Sequence, residues 1–322
     1  MLLDNILPIL LVALAVDAVI GDPPAFYRII PHPAVIMGRL VGLMDDTLNR
    51  PALAHWLRRL LGLFAIIALS VFWGAVAVYL TRWLDGVPYG WIILGVLMST
   101  LLAQKSLYLH VGDVASALEG EGLDAGRAAV GKIVGRQTDT LDEAGVSRAS
   151  LESLAENFSD GVVAPVFWAL LFGLPGLLIY KSLNTADSMI GHLNQKHGDF
   201  GWAAAKLDDF ANLIPSRIAG LLIVIAALVH RPGGAADSLK TLWRDGRKHR
   251  SPNAGVPEAA MAGALDVRLS GPRVYDGQAV DELWLGEGRE DATPADIVAG
   301  LRVYVNACVV MFVLLVGLVA ES

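Results

Sequence analysis

Three carboxylates, Glu152, Glu156 and Asp160, follow one another at intervals of four residues. On an α-helix this spacing places all three side chains along one face. Like charges at that spacing repel by roughly a few tenths of a kcal/mol per pair, so such a face is either well solvated or offered to a cation. The run from Gly161 to Phe172 that follows carries no charge, so the chain does not continue into a polar, solvated segment. A cation or substrate site therefore stands beside the simpler interpretation of a solvated helix face.

Two further polar clusters border apolar runs. Lys181, Asn184, Asp187 and Ser188 lie three and four residues apart, which predicts one polar stripe on a helix. The pair Asp208 and Asp209 stands where the next apolar run begins. One such pair would be a solvated cap, but a third polar cluster at a run boundary favours a functional site.

The composition identifies the elements that must position these residues. Of 322 residues, 54% are hydrophobic and only 18% are charged. The mean hydropathy of +0.52 is typical of a protein that crosses a membrane several times. We therefore expect an all-α fold, a polytopic membrane helical bundle.

Four uncharged runs are close to the roughly 20 residues that cross a bilayer. They are 60–81, 86–104, 161–180 and 303–320. The runs 6–20, which contains Asp17, and 218–229, which reaches full length only if it begins near Phe210 and tolerates Arg217, are weaker candidates. The prediction is four to six spans. Run 161–180 is interrupted by Gly173 and Pro175, so it either crosses or forms a re-entrant hairpin.

Two long polar segments, 105–160 and 231–300, are expected to be cytoplasmic and mainly helical within a single membrane domain, 1–322. We expect the second helix of the pair 60–84 and 91–109 to end over 105–110. Loop and short-strand character is predicted for 268–293. The run from Gly126 to Lys132 has the spacing of a phosphate-binding P-loop, but Ile133 stands where Ser or Thr must hold Mg²⁺. No β-rich run precedes it, so we reject a P-loop.

Basic residues in the loops orient the chain. Segments 21–59, 105–160 and 231–250 are rich in Arg and Lys, which predicts that they face the cytoplasm and that the N-terminus lies outside. The N-terminus lacks the basic start and the small-residue site of a cleaved signal. Cys308 excludes an internal disulfide because it is the only cysteine. A net charge of −7 gives no support for nucleic-acid binding.

At this point the ordered motifs resemble a known family. They are Gly21-Asp-Pro-Pro24, His32-Pro-x-x-x-Met-Gly38, Ile133-Val-Gly-Arg136, Glu152-Ser-Leu-Ala-Glu-Asn-Phe-Ser-Asp-Gly161, Lys181-x-x-Asn-Thr-x-Asp-Ser-Met189 and His249-Arg-Ser-Pro-Asn-Ala-Gly255. Together they resemble the integral membrane adenosylcobinamide-phosphate synthase family of cobalamin biosynthesis. One position departs from the family pattern: Gln137 follows Gly-Arg where we expect Asp, which puts a carboxylate role there in doubt.

The resemblance implies ATP-dependent amide formation, in which adenosylcobyric acid joins aminopropanol phosphate to give adenosylcobinamide phosphate. It implies ATP and Mg²⁺ as co-substrate and metal, and a corrinoid as substrate. The lipid bilayer is an expected partner, and other late cobalamin-pathway membrane enzymes are candidate partners. The expected location is the inner or plasma membrane, with all polar motifs in one cavity at the cytoplasmic face.

The residues suit this chemistry, since every reactant is anionic and a carboxylate must be activated before an amine can attack it. Metal-binding carboxylates and basic groups for phosphates are therefore needed. The candidate catalytic residues are Glu152, Glu156, Asp160, Lys181 and Asp187. Among them Glu156, Asp160 and Asp187 are the candidate Mg²⁺ ligands. The candidate substrate- or phosphate-binding residues are His32, Arg136, Asn157, Asn184, Ser188, Asp208, Asp209, His249, Ser251 and Asn253.

Within that set, Lys181 and Arg136 are the phosphate candidates, and the asparagines would orient the substrates. His32 and His249 are candidate proton carriers, with a structural role as the alternative. Two other functions stay open. A polytopic sensor related to the membrane family of β-lactamase regulation would lack the full motif set. A transporter would carry charges in mid-span, whereas these charges lie mainly at span ends.

Overall fold

The computed structural model describes residues 6–135, 137–192, 194–275, 278–280 and 282–321. Over these residues the chain is helical apart from short strands, which confirms the all-α prediction. The helices are α1 Ile6–Val19, α2 Pro24–Tyr27, α3 Pro33–Leu48, α4 His55–Asp85, α5 Gly90–Ser99, α6 Gln104–Gly120, α7 Leu123–Val130, α8 Glu143–Phe158, α9 Ala164–Ile190, α10 Trp202–Ala211, α11 Leu213–Ala226, α12 Gly234–Asp245, α13 Gly255–Leu265 and α14 Pro294–Glu321. The strands are β1 Leu269–Ser270, β2 Arg273–Tyr275, β3 Gln278–Val280 and β4 Trp284–Leu285. They form two antiparallel pairs, β1 with β4 and β2 with β3.

Among the described residues, four helical stretches are long and apolar enough to cross a membrane, and the protein is a multi-pass membrane protein. They are His55–Asp85, Gly90–Gly120, Glu143–Ile190 and Pro294–Ala320. The pair α10 and α11, interrupted at Asn212, passes the same test as one broken span and brings the number to five. Both numbers fall within the predicted four to six.

Two expectations at the N-terminal end need correction. The weak span 6–20 is a helix of 14 residues, α1, which at 1.5 Å per residue is too short for a bilayer core of about 30 Å. The second helix does not end over 105–110, because α6 begins at Gln104 and runs through that segment. The break comes earlier, after α5, where the hydroxyls of Ser99 and Thr100 donate to the carbonyls of Val96 and Leu97. Such bonds compete with the helical ladder.

The polar stripe that begins at Lys181 lies on a helix, as its spacing predicted. It forms the last part of α9, which has its only non-helical backbone at Gly173, with φ 63° and ψ −151°. Gly173 and Pro175 therefore interrupt the helix where the sequence predicted an interruption. Whether this segment crosses or re-enters the membrane stays a prediction.

The three carboxylates of the opening motif do not share one regular α-helix. Glu152 and Glu156 lie in α8, whose N-cap is Asp142. The side chain of Asp142 accepts a 2.7 Å hydrogen bond from Gly145 N. Asp160 instead lies in a π-helical turn, Ser159–Val163, between α8 and α9. A π turn carries one extra residue per turn and shifts Asp160 off the predicted α-helical face.

The chain divides into two compact units. Unit 1 contains residues 6–103, 164–212 and 318–321, and unit 2 contains residues 104–163 and 213–317. In unit 1, α3, α4, α9 and α10 pack around a buried apolar cluster that includes Val41, Ile66, Leu69, Ile190 and Phe200. The predicted single domain, 1–322, stays a prediction.

Unit 2 is built around α13, which is buried along its whole length and packs against α8, α11 and α12. A short helix that is buried on every side must be apolar all round, and α13 is rich in Ala. On another side of the unit, Phe158 meets Tyr304 edge to face, with ring centroids 5.5 Å apart. The hydroxyl of Tyr304 donates to Gln104 O at 2.9 Å.

Close packing of α4 in unit 1 makes a first prediction. A Cβ on Gly62 would lie 1.9 Å from Phe200 O, a backbone atom that cannot rotate away. Gly62→Ala should therefore destabilise the protein by about 1–3 kcal/mol, as overpacking does. Gly317→Ala is the matched control, because nothing lies within 4 Å of a Cβ there and an added methyl favours the helix. Thermal unfolding in detergent measures both, and equal midpoints would contradict this packing.

Candidate functional site

The motif that begins at His249 forms a hydrogen-bonded turn, residues 249–254, between α12 and α13. The Nδ1 atom of His249 accepts a 3.1 Å hydrogen bond from Ser251 N. The Oγ atom of Ser251 accepts from Asn253 N and Ala254 N, at 3.3 Å each. The side chains of the motif thus replace the missing backbone partners of the turn and fix its shape.

This turn is fastened to the start of α11 by one amide oxygen. Asn253 Oδ1 accepts hydrogen bonds from Ser216 Oγ at 3.3 Å and from Arg217 Nη1 at 2.9 Å. Asn253 and Ser216 are buried, whereas Arg217 is exposed. The sequence analysis selected Asn253 as a candidate substrate-binding residue. It considered Arg217 only as a charge within a weak candidate span. The signal for Arg217 was its place at a run boundary, like that of the acidic clusters.

A glycine at the end of the motif permits this arrangement. A Cβ on Gly255 would lie 2.5 Å from His249 Cβ and 2.7 Å from Gly246 O. Any side chain there would push the turn away from the end of α12. Pro257 and Glu258 then occupy the first turn of α13.

The exposed end of α8 carries Glu156 and Asn157, two of the predicted site residues. Asn157 Nδ2 donates to Ser153 O at 2.9 Å and to Ser153 Oγ at 3.1 Å. Ser153 Oγ in turn donates to Ile133 O at 2.8 Å. These bonds bring the motif at Ile133 to the predicted carboxylate helix within unit 2. Arg136, the predicted phosphate ligand of that motif, lies outside the described residues.

Glu152 is buried, with 5% of its surface exposed. Its Oε1 atom accepts a 2.7 Å hydrogen bond from Ser270 N at the start of the strand region. Ser270 has φ 62°, a left-handed backbone conformation that costs roughly 1–2 kcal/mol in a non-glycine residue. This contact gives Glu152 a positioning role for β1. Its predicted catalytic role stays a prediction.

In unit 1 a hydrogen-bonded acidic network links α9 to α10. The Tyr180 hydroxyl donates to Asn212 Oδ1 at 2.9 Å, and Asn212 Nδ2 donates to Asp208 Oδ2 at 2.9 Å. Asn184 Nδ2 approaches the other oxygen, Asp208 Oδ1, at 3.4 Å. Two neutral amides therefore hold one buried carboxylate. The sequence analysis selected Asn184 and Asp208 but missed Tyr180 and Asn212, whose hydrogen bond to each other joins residues 32 positions apart.

Two more predicted carboxylates lie within electrostatic reach of this network. The charge of Asp187, on α9, interacts with those of Asp208 and Asp209. Lys206 Nζ lies 3.7 Å from Asp209 on the same helix. Asp187 and Lys181 lie on α9 at the predicted spacing, and Ser188 Oγ donates to Asn184 O at 2.9 Å. Unit 1 thus gathers Lys181, Asn184, Asp187, Ser188, Asp208 and Asp209.

The two predicted histidines have closely matching surroundings. His32 Nδ1 accepts from Ala34 N at 3.1 Å as the N-cap of α3, and its Nε2 atom lies 3.2 Å from Asp22 Oδ1. His249 Nδ1 accepts from Ser251 N, and its Nε2 atom lies 3.9 Å from Glu258 Oε1. In both residues Nδ1 is an acceptor, which leaves the proton on Nε2 facing a carboxylate. This geometry favours the structural alternative for both histidines over proton transfer.

The described residues include no group of three or more His, Cys, Asp and Glu side chains that could hold a metal ion. Mg²⁺ rarely needs one, since it commonly binds one or two carboxylates together with substrate phosphates. Glu156 is exposed and Asp160 is partly exposed, so both present oxygen donors to solvent. The Mg²⁺ ligands proposed from the sequence, Glu156, Asp160 and Asp187, stay a prediction.

A charged cluster around Asp245 anchors the basic segment that precedes the turn. The carboxylate of Asp245 accepts hydrogen bonds from Arg244 Nη2 at 2.6 Å, from Lys248 Nζ at 2.7 Å and from Gly286 N at 2.9 Å. Burial acts to raise the pKa of Asp245, but these three hydrogen bonds hold it well below its usual range. The ionised carboxylate therefore stabilises the junction of α12 with the end of β4.

Comparisons with known proteins agree with the cobalamin-biosynthesis part of the motif-based resemblance. A family model described as CobD/Cbib protein matches residues 10–304. The chain is 51% identical over 323 residues to the Cobalamin biosynthesis protein CobD of Sinorhizobium sp, covering 98% of this chain and 99% of that protein. It is 49% identical to the protein of that name from Sinorhizobium fredii, covering 93% of each. For Rhodobacter capsulatus the identity is 44%, covering 98% of each. No solved structure matches the chain.

The Asp245 cluster predicts how stability depends on pH. The pKa of Asp245 is lowered by folding, so its contribution is present above the unfolded value of about 3.9 and is lost as the pH falls below it. Asp245→Asn should cost about 1–3 kcal/mol at pH 7 and flatten the acid limb of the stability profile. Glu287→Gln is the control, because Glu287 contacts the same Arg244 from an exposed position and should matter little. Thermal unfolding in detergent between pH 3 and pH 7 tests this, and parallel acid limbs would refute it.

Proposed function

The chain belongs to the CobD/Cbib family of cobalamin biosynthesis, and we propose that it is an ATP-dependent amide ligase. It joins adenosylcobyric acid to aminopropanol phosphate and forms adenosylcobinamide phosphate. The observation that carries the proposal is the family match over residues 10–304, together with relatives named for cobalamin biosynthesis that cover almost the whole chain. The motif set from Gly21 to Gly255 supports the finer assignment.

The chemistry proceeds in two balanced steps. A carboxylate oxygen of adenosylcobyric acid attacks the terminal phosphorus of ATP, which gives an acyl phosphate and releases ADP. The amine of aminopropanol phosphate then attacks the acyl carbon, inorganic phosphate leaves, and the amine loses a proton. Both steps bring anions together, so catalysis consists mainly of positioning and charge stabilisation.

The charges of the described residues suit those steps. Glu156 near the end of α8 and Asp160 in the π turn after it are accessible oxygen donors of the kind that Mg²⁺ prefers, and the acidic network around Asp208 is a second set. Bound Mg²⁺ would neutralise charge on the phosphates of ATP. Arg217, which donates to Asn253 Oδ1 at the start of α11, offers further guanidinium N–H donors that a phosphate can accept.

We place the reaction at the cytoplasmic face of the inner or plasma membrane, because ATP and the activated intermediate must stay on one side. The positions of Glu156 near the end of α8 and of the Lys181 stripe near the end of α9 support chemistry at a membrane surface, since neither lies in the middle of an uncharged run. The lipid bilayer is then a permanent partner, and other membrane enzymes late in cobalamin synthesis are proposed to receive the product.

Purified protein in detergent tests the proposal directly. With adenosylcobyric acid, aminopropanol phosphate, ATP and Mg²⁺, we expect a corrinoid product. Its mass should exceed that of adenosylcobyric acid by the mass of aminopropanol phosphate less one water, and one ADP and one phosphate should be released per product. Omission of ATP or of the amine should abolish the product. The assignment would be overturned if well-folded protein, incubated with all the substrates, left adenosylcobyric acid unchanged and consumed no ATP.

Glu156→Gln tests the carboxylate at the end of α8. The amide keeps the shape and removes one charge, so the helix should be no less stable, because repulsion from Glu152 is relieved. Product formation should fall about 10²- to 10³-fold, the scale for a critical charge-stabilising group, and should recover in part at high Mg²⁺. The measurement is turnover across a Mg²⁺ titration. Near wild-type turnover at low Mg²⁺ would show that Glu156 is a solvated surface residue.

Lys132→Ala is the matched control for that experiment. Gly126 lies within α7 and Lys132 in the turn after it, so the rejected P-loop spacing occurs on a helix and not after a strand. Turnover should stay within about 3-fold of wild type, since we expect no phosphate at this lysine. A loss on the order of 10³-fold would reinstate the P-loop.

A further inference from the structure

The basic residues around the His249 turn divide into two kinds. Most have a carboxylate partner: Arg244 and Lys248 share Asp245, and Arg250 Nε lies 3.5 Å from Glu282 Oε1. Arg217 and Arg247 differ. In the part of the chain that the structure describes, neither has a carboxylate within salt-bridge distance, and both are exposed.

These two guanidinium groups are also close enough to repel each other. The charge of Arg247 acts on that of Arg217 across the gap between the end of α12 and the start of α11. Arg217 is nevertheless held in place, because its Nη1 atom donates to Ser216 Oγ at 2.8 Å and to Asn253 Oδ1 at 2.9 Å. Both acceptors are neutral, so they fix the position of the charge without cancelling it. No other hydrogen bond of Arg217 is found within the described residues, so Nε and Nη2 stay available.

We propose that Arg217, Arg247 and Asn253 form a phosphate-binding site of unit 2. Two unneutralised guanidinium groups side by side are unfavourable until a ligand supplies at least two negative charges. A phosphate monoester carries about −1.5 to −2 at pH 7, whereas a carboxylate carries only −1. The planar guanidinium fork also matches phosphate oxygens in geometry.

This inference rests on the proposed function for the identity of the phosphate. Aminopropanol phosphate and ATP share the required chemistry. An anionic lipid headgroup offers phosphate oxygens with a smaller charge, and it is the competing source because α11 belongs to a candidate broken span. We commit to a soluble phosphate ligand. The lipid is then an outcome that would count against the proposal.

The test measures binding and not only turnover. Calorimetry on the full-length protein in neutral detergent uses four probes: aminopropanol phosphate, aminopropanol, ATP without Mg²⁺, and micelles doped with phosphatidylglycerol. Arg217→Gln should weaken aminopropanol phosphate or ATP about 10- to 100-fold, the value of a charge-assisted hydrogen bond, and leave aminopropanol unchanged. Arg247→Gln should weaken the same probe about 3- to 10-fold, since it contributes charge alone.

Two variants keep the result interpretable. Arg302→Gln is the matched control: Arg302 is also exposed, in α14, and no described carboxylate lies within salt-bridge distance of it. It interacts with His230, which follows α11 at the end opposite Arg217. Its removal should leave the affinity for the phosphate probe unchanged. Arg217→Lys retains the charge and should lose less affinity than Arg217→Gln, provided that both unfold at the wild-type temperature.

Three outcomes would overturn the site. They are unchanged affinity for both soluble phosphates in Arg217→Gln, an equal loss for aminopropanol, and a loss confined to phosphatidylglycerol. The proposed function fails separately: if the protein binds a soluble phosphate through Arg217 but forms no amide, the site stands and the ligase assignment falls. If it forms the amide and Arg217→Gln binds normally, the reverse holds.

Discussion

The bonds that Asn253 Oδ1 accepts from Ser216 and Arg217 determine what unit 2 can do. They hold a guanidinium group at the start of an apolar helix with neutral partners, so the charge is fixed in place but not cancelled. Several other features serve this one contact. The hydroxyl of Ser251 shapes the turn that presents Asn253, Gly255 lets the turn lie against α12, and the buried helix α13 supports it from below. A chain in apolar surroundings must satisfy its polar groups internally, which is why so much of the motif is hydrogen-bonded to itself.

Unit 1 handles a charge of the opposite sign in the same way. Asp208 is buried, and its carboxyl group accepts hydrogen bonds from the neutral amides of Asn184 and Asn212. Two other carboxylates of unit 1 are neutralised by cations instead. Asp45 binds Lys196 at 2.6 Å, and Asp199 binds Arg59 at 3.1 Å. We infer a physical distinction between the two classes: ion pairs stabilise the fold, and charges held by amides stay available to a ligand.

Much of this could be predicted from the sequence, because it depends on local patterns. Apolar runs gave the spans, three-and-four spacing gave the stripe on α9, and Gly173 with Pro175 gave the interruption of that helix. What failed depends on contacts distant in sequence or on competition within the backbone. Nothing near Glu152 indicates that its carboxylate reaches Ser270, 118 residues later. Four-residue spacing cannot show that the helix changes to a π turn at Asp160. From the sequence, Arg217 is only a charge at the border of an apolar run, because its contact with Asn253 joins residues 36 positions apart.

Charges held by neutral groups also have a thermodynamic consequence. Each repels its neighbours, as Arg217 and Arg247 repel each other and as Asp187 and Asp208 do, so the free protein is less stable than packing alone would make it. A ligand that supplies the missing counter-charge binds the folded state and not the unfolded chain, and it therefore stabilises the fold by mass action. Anionic phosphates would relieve the basic pair, and a divalent cation would relieve the acidic group. An enzyme whose substrates are all anions gains from this arrangement, because the same uncompensated charges that weaken the empty protein attract and orient the phosphates and the metal that the reaction needs.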